Sequence, residues 1–385
     1  MPYMVETGDG YMQVCWGRML FDRPLTRFVA IALFGITLAE ISFAEEPILS
    51  VYNWFDYIAP DTIAEFTRAT GIKVRYGTYD SNEFLESKLL AGKSGYDVVV
   101  PSATFLERQI RAGIYTPLDK RLIPNFRNLD SQLMRLLAQH DPGNRYAAMY
   151  LYGTTGIGYD AKQIKARMPP GSENSWRLLF DPLVVSKFRD CGVAIIDQPL
   201  EVVSIALIYL GLDANSSSPK DLKAAEILLM SIRPYVRNIA TSSVLDELAQ
   251  GDLCIILGWN GQVAQARRAA VETDHRREIT YIVPKEGSII WFDSLAIPRD
   301  APHVQNAHRF VNFVLEGRVH GSISNSVRFA NPNLAAASHV DTALLNDPGI
   351  YPPPEVLSRL VSVRARSDDS QREITRLWTR FRTGQ

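Results

Sequence analysis

Aromatic and acidic side chains are the residues of this sequence whose types could form a binding site. Aromatic faces attract cations and also pack against methylene chains. The aromatic candidates are Trp54, Tyr57, Trp259 and Trp291. Asp293 follows an apolar run, so its carboxylate must be either paired or exposed to water. Each candidate also has an ordinary explanation, because aromatic side chains in α/β proteins usually pack in or near the core.

Motifs of the common enzyme classes are absent from the sequence, including G-x-S-x-G, the Walker loop, G-x-G-x-x-G and H-E-x-x-H. The run Thr155-Gly156-Ile157-Gly158 lacks the third glycine and the lysine that phosphate binding needs, and we interpret it as the entry to a strand. The histidines, His308 and His320 among them, have no neighbouring residues suited to nucleophilic catalysis. We therefore predict a protein that is not an enzyme and has no cofactor, with a dispersed active site as the alternative.

Composition indicates a globular protein of about two domains. The 385 residues are 46% hydrophobic and carry a formal net charge of -1, which is enough apolar material for a sizeable core. Near-neutral charge provides no basic field for phosphate backbones, so nucleic acid is not expected as a partner. The pair Arg276 and Arg277 is interpreted as a solvated surface.

The amino end resembles a secretory signal. Arg23 and Arg27 precede an apolar run at residues 28–38, and Ser42-Phe43-Ala44 has the small-x-small form that signal peptidase cleaves. We predict a signal peptide over residues 1–44 and a periplasmic product. The apolar run is shorter than the roughly 20 residues that span a bilayer. A retained anchor is the alternative, and Met19 is an alternative initiator.

Two cysteines remain after this predicted cleavage, because Cys15 lies in the leader. Cys191 and Cys254 form an even pair, and export makes a disulfide between them plausible. Such a bridge would close a loop of about sixty residues and contribute on the order of 4 kcal/mol. Two buried thiols are the alternative. Because the sequence has no Cys/His cluster with zinc spacing, no metal site is expected.

Apolar strands alternate with amphipathic helices from Glu46 onward, which predicts an α/β protein. A strand is predicted at 48–52, and a helix after it should end at Gly71. Alternation at 72–76 predicts a second strand, and the apolar run 98–100 predicts a central parallel strand, whose carboxyl end is where such sheets bind ligands. Further strands are predicted at 254–257 and 290–297. The absence of a flexible linker favours two lobes that share more than one crossing strand.

Residues 52–60, YNWFDYIAP, resemble the opening of the periplasmic spermidine- and putrescine-binding proteins. The similarity continues in order through residues 80–83, 96–102, 155–159, 258–259, 284–287 and 346–353, and is strongest to the putrescine-binding branch. The resemblance implies a two-lobed type II periplasmic binding fold with the ligand in the cleft. It implies capture of a small cationic amine for delivery to the permease of an ABC transporter. We also predict a monomer. Lobe 1 is predicted over 45–152 and 287–345, and lobe 2 over 153–286 and 346–385.

The resemblance also transfers ligand-binding roles to individual residues. These residues are Trp54, Asp56, Tyr57, Ser102, Glu201, Trp259 and Asp293. It implies that Asp293 pairs directly with an ammonium group, that Glu201 acts nearby, and that Ser102 contributes a hydroxyl. Trp291 is added as a further aromatic face.

Three predicted site positions depart from the putrescine-binding pattern. Gln262 stands where that branch has a second aspartate, Phe55 replaces a small polar residue, and Phe329 replaces a tyrosine, with Arg328 beside it. A neutral amide cannot offset a second positive charge, so weakened or lost putrescine binding is predicted. The alternatives are a receptor for another organic cation, a receptor for an amine derivative that carries an acid, and an amine-sensing regulatory protein.

Overall fold

Ten strands form one sheet in the described part of the chain, which in this computed structural model comprises residues 45–241, 243–272 and 277–385. The strands are β1 Ile48–Trp54, β2 Lys73–Tyr79, β3 Val98–Val99, β4 Ala147–Asp160, β5 Val193–Ile195, β6 Asn238–Ile239, β7 Ile255–Trp259, β8 Ile279–Ile282, β9 Ser288–Ala296 and β10 Leu360–Ser362. The predicted signal peptide, residues 1–44, and Arg276 lie outside the described residues.

Helices alternate with these strands along the chain. They are α1 Thr62–Thr70, α2 Asn82–Leu90, α3 Ala103–Arg111, α4 Ser131–Leu137, α5 Ala161–Arg167, α6 Arg177–Phe180, α7 Pro182–Val185, α8 Pro199–Tyr209, α9 Pro219–Ile232, α10 Val244–Gln250, α11 Asn260–Glu272, α12 Val304–Val314, α13 Gly317–Val327, α14 Thr342–Leu345, α15 Pro354–Leu357 and α16 Asp368–Thr383. Short 3-10 helices lie at Lys120–Leu122, Pro124–Asn128, Ser186–Phe188, Arg233–Tyr235 and Leu334–His339. Within the described ranges, no helix is both long and apolar enough to cross a membrane.

Local sequence signals explain the first elements. The helix α1 ends at Gly71, as predicted, because this residue adopts a φ of 74° and its N–H donates to the carbonyl of Thr67. Phe66 of α1 is fully buried, and its ring lies 5.1 Å from that of Phe310 on α12. The apolar stripes that predicted these two helices therefore pack against each other.

Three hydrophobic clusters pack on the sheet, one in the first lobe and two in the second. The strand order is β2-β1-β3-β9-β4-β7-β5-β6, with parallel pairs on either side of the antiparallel pair β9 and β4. The first part of β4 packs in the core that contains Val51, whereas its last residues pack in the core that contains Ile195. Because β4 and β9 contribute to both cores, the lobes are joined by two long crossing strands. The predicted lobe boundaries stay a prediction.

The glycine-rich run at 155–158 lies inside β4 rather than at a strand entry. It pairs with β7 through Thr155 to Tyr159, antiparallel to Ile255–Trp259. The predicted entry was wrong because the strand begins at Ala147 and continues through the run. Local sequence could not show that one strand serves both lobes.

The predicted disulfide between Cys191 and Cys254 is confirmed, with the two Cα atoms 5.6 Å apart. The two cysteines precede the neighbouring parallel strands β5 and β7, and the N–H of Cys254 donates to the carbonyl of Gly192 at 2.9 Å. The bridge spans a sequence separation of 63 residues, for which the chain-entropy model gives a stabilisation of about 4 kcal/mol. It ties together the amino ends of two core strands in the second lobe.

Candidate functional site

A buried carboxylate, Asp293, lies at the centre of the candidate site. Its side chain is 6% exposed on β9. One oxygen accepts a hydrogen bond from the hydroxyl of Ser102 at 2.5 Å, and the other accepts from the hydroxyl of Tyr57 at 2.8 Å. Burial raises the pKa of Asp293 to about 6, although both hydrogen bonds act in the opposite direction. The group is thus a carboxylate whose charge is only partly compensated by the protein.

The carboxyl ends of two parallel strands bring the first-lobe residues to Asp293. Trp54 ends β1, and Ser102 follows β3, which pairs with β1. Parallel strands place such groups at one edge of the sheet, where α/β proteins bind ligands. The indole N–H of Trp54 donates to the carbonyl of Val100 at 2.9 Å. Asn82 fixes Ser102, because its amide donates to the serine Oγ and accepts from the serine N–H, each at 3.1 Å.

A second acid, Glu201, belongs to the other lobe. It lies in the first turn of α8, directly after β5, and Trp259 ends the neighbouring strand β7. The Oε2 atom of Glu201 accepts from the indole N–H of Trp259 at 3.0 Å and from the hydroxyl of Thr155 at 2.8 Å. Burial raises the pKa of Glu201 to about 7, and the charge of Asp293 contributes to this rise. The two acids therefore lie close enough to interact.

Aromatic rings connect the two acids across the lobes. Trp259 meets Trp291 at 6.2 Å between ring centroids, Trp291 meets Phe329 at 5.2 Å, and Phe329 meets Tyr57 at 5.6 Å, all edge to face. Close approach of Trp291 to β4 requires Gly153, since a Cβ there would lie 2.3 Å from the Trp291 ring. The site is a continuous chain of contacts that starts at Glu201 and ends at Asp293.

Gly261 allows the start of α11 to pack against Phe329. A Cβ at this position would lie 2.3 Å from the phenyl ring, which is closer than non-bonded carbons approach. Gly261→Ala must displace the ring or the helix, so we expect the free energy of unfolding to fall by about 1–3 kcal/mol in urea denaturation. The double variant with Phe329→Leu should recover part of this loss. A single variant as stable as the native protein would contradict the packing.

Phe55 and Asp56 lie outside this chain of contacts. Both follow β1 on an exposed turn, where the Phe55 side chain is 65% exposed and Asp56 has a φ of 50°. Gln262, on the first turn of α11, donates its amide nitrogen to the carbonyl of Thr241 at 3.0 Å. The structure thus brings together the remaining predicted site residues except Trp54. These are Tyr57, Ser102, Glu201, Trp259, Trp291, Asp293 and Phe329, whereas Trp54 contacts Tyr79 and the carbonyl of Val100 at the end of β1.

Two residues of the site were not predicted as site residues. Asn82 positions Ser102, and Thr155 binds Glu201. Both lie in segments that carry the family resemblance, at 80–83 and 155–159. They were overlooked because a neutral amide and a hydroxyl give no signal of their own until their partners are known.

Comparison with known proteins identifies the family. Residues 61–340 match the family described as bacterial extracellular solute-binding protein. The chain belongs to this family. The putrescine-binding periplasmic protein SpuD of Pseudomonas aeruginosa (strain UCBPP-PA14) is 45% identical over 357 residues, which cover 92% of this chain and 97% of SpuD. The putrescine-binding periplasmic protein PotF of Escherichia coli (strain K12) is 42% identical over 362 residues, which cover 94% of this chain and 98% of PotF.

Solved structures of similar proteins share the fold. A putative spermidine/putrescine ABC transporter from Listeria monocytogenes has a TM-score of 0.78 at 29% identity and covers 88% of this chain, with 100% of its own chain matched. The spermidine/putrescine ABC transporter substrate-binding protein PotD from Streptococcus pneumoniae has a TM-score of 0.76 at 26% identity, over 88% of this chain and 99% of PotD. These matches confirm the predicted family and the two-lobed type II periplasmic binding fold. The chain is a solute-binding protein and not an enzyme, as predicted.

Proposed function

We propose that this solute-binding protein captures a small cationic amine of the polyamine type and delivers it to the permease of an ABC transporter. The observation that carries the proposal is Asp293, a buried carboxylate with two hydroxyl partners and no basic side chain paired with it among the described residues. A buried carboxylate without a cation is costly, and an ammonium group compensates it by charge-assisted hydrogen bonds. The names of the similar proteins, putrescine- and spermidine/putrescine-binding, support the same ligand class.

Aromatic faces complete the binding site. Trp54 ends β1 in the first lobe and Trp259 ends β7 in the second. Indole faces attract ammonium groups and cover methylene chains without demanding hydrogen bonds. The proposed ligand lies between these faces, with one ammonium group on Asp293.

Capture then proceeds by movement of the lobes about the crossing strands β4 and β9. Closure excludes water from the ligand, which strengthens the ion pair with Asp293. The closed protein is the form that the permease recognises. The same proposal includes export by the signal peptide at residues 1–44, a periplasmic location, a monomeric state, and lobes at 45–152 with 287–345 and at 153–286 with 346–385.

Isothermal titration calorimetry tests the proposed function. We expect saturable binding of 1,4-diaminobutane, of a longer triamine, or of an amide derivative of the diamine by the purified protein at pH 7.5. Butane-1,4-diol is the matched control, since it has the same length without positive charge, and it should not bind. No heat with any of the amines, or an equal response to the diol, would refute the proposal.

A further inference from the structure

Two buried polar atoms, one in the candidate site and one on the helix that follows Trp259, have no hydrogen-bond partner in the described part of the chain. They are the indole nitrogen of Trp291 and the side-chain oxygen of Gln262. The first can only donate a hydrogen bond and the second can only accept one. Buried groups of this kind are normally satisfied by protein, water or ligand. A ligand that satisfies both atoms must therefore have a hydrogen-bond acceptor for Trp291 and a hydrogen-bond donor for Gln262.

The amide of Gln262 is held in a defined orientation. Its nitrogen donates to the carbonyl of Thr241 at 3.0 Å, so the oxygen is the end that stays free. Thr241 follows β6 and Gln262 follows β7, at the same edge of the second-lobe sheet from which Glu201 and Trp259 project. Carboxyl ends of parallel strands are where such sheets bind ligands. The free acceptor thus belongs to the ligand-binding edge.

Trp291 and the ammonium-binding carboxylate of Asp293 are neighbours on one strand. Trp291 and Asp293 are two residues apart on β9, so their side chains leave the same face of the strand about 7 Å apart. The Trp291 ring is fixed on one side by Phe329 and on another by β4 at Gly153. A ligand whose ammonium group is on Asp293 therefore reaches Trp291 with atoms farther along its chain.

An ammonium group cannot satisfy both free atoms. It could donate to Gln262, but it has no lone pair to accept a hydrogen bond from Trp291. A carboxamide can do both, because its N–H donates and its carbonyl oxygen accepts. The pKa of Glu201 is raised to about 7, so near neutral pH this acid adds only part of a second negative charge. A ligand whose second end, opposite the ammonium group, is neutral matches this partial negative charge.

We propose that the ligand is a monocation with an ammonium group at one end and a neutral carboxamide-type group at the other, as in an N-acylated or carbamoylated diamine. This inference rests on the proposed function and specifies its ligand. The ammonium group binds Asp293. The amide binds Trp291 through its oxygen and Gln262 through its N–H.

Calorimetry with N-acetyl-1,4-diaminobutane and 1,4-diaminobutane compares the two ligand types directly. We expect the acetylated diamine to bind at least about tenfold more tightly to the native protein, because the unacetylated ligand leaves a buried donor unpaired. Trp291→Phe removes that donor and should weaken the acetylated ligand by about tenfold with little effect on the diamine. Gln262→Asp should reverse the preference by adding a negative charge. Gln132→Asp, at an exposed position near the start of α4, is the control and should change neither affinity.

The outcomes separate this inference from the proposed function. If the diamine binds the native protein as tightly as the acetylated diamine does, or more tightly, the inference is wrong and the proposed function stands. If Trp291→Phe weakens both ligands equally, the indole N–H does not donate a hydrogen bond to the amide oxygen of the ligand, and the inference is also wrong. If no diamine, triamine or acetylated diamine binds, both fail.

Discussion

Asp293→Asn is expected to weaken amine binding by about a thousandfold. The variant keeps the shape of the side chain, and one of the two hydroxyls, of Ser102 or Tyr57, must turn to accept from the new NH2 group instead of donating to an oxygen. It leaves the ammonium group of the ligand without a counter-charge. Removing one partner of a buried charge pair costs about 2–5 kcal/mol or more, and about 4 kcal/mol corresponds to a thousandfold change in affinity. Calorimetry at pH 7.5 measures the loss. Asp61→Asn, at an exposed carboxylate, is the matched control and should bind normally.

The stability of the same variant distinguishes lost binding from lost folding. Because burial raises the pKa of Asp293 from 3.8 to about 6, the folded chain holds this proton more tightly than the unfolded chain. The contribution of Asp293 to stability is complete below about pH 4 and is lost as the pH rises past about 6. In the ligand-free protein at pH 8, Asp293→Asn should therefore raise the free energy of unfolding, by up to about 3 kcal/mol. A variant that binds amine normally would contradict the assignment of Asp293.

Acidification is expected to weaken amine binding by more than tenfold between pH 8 and pH 5. The amine remains charged throughout this range, since alkylammonium groups have a pKa near about 10. The carboxylates change instead, because burial raises the pKa of Asp293 to about 6 and that of Glu201 to about 7. At pH 5 only about one Asp293 side chain in ten is ionised, which alone accounts for about a tenfold loss. Calorimetric titrations at several pH values measure the profile.

Proton release gives an independent check of the pH dependence. A bound cation favours the ionised carboxylates, so binding near pH 6 should release protons to the buffer. Titrations in buffers of different ionisation enthalpy detect this release. Glu201→Gln removes one of the two acids and should make the pH profile shallower. Binding that is unchanged or tighter at pH 5 would show that neither carboxylate pairs with the ligand.

Local sequence patterns predicted five of the ten strands that the described residues form, and the end of the first helix. The helix end at Gly71, the strand at 48–52 and the apolar strand before Pro101 all follow from turn chemistry and periodicity, which act over a few residues. The long strand β4 was not predicted as one element, because its first part pairs with β9 and its last part with β7 and β8, and all three strands lie far away in sequence. Pairing of that kind depends on tertiary contacts, which no local pattern contains.

Most of the site residues that the sequence predicted carry a charge or an aromatic ring. The resemblance to a known family drew attention to Asp293, Glu201 and Trp259, which the structure joins through Trp291, Phe329 and Tyr57. The exposure of Phe55 could not be predicted, because it depends on how the turn after β1 leaves the sheet. The unpaired oxygen of Gln262 could not be predicted from sequence either, because the orientation of the amide is set by the carbonyl of Thr241, 21 residues away.

A crystal structure of the protein saturated with an amine tests the central claim most directly. We predict the ammonium nitrogen within about 3 Å of the Asp293 carboxylate, between the indole faces of Trp54 and Trp259. An amine bound elsewhere, with the Asp293 oxygens still contacted only by Ser102 and Tyr57, would contradict this account.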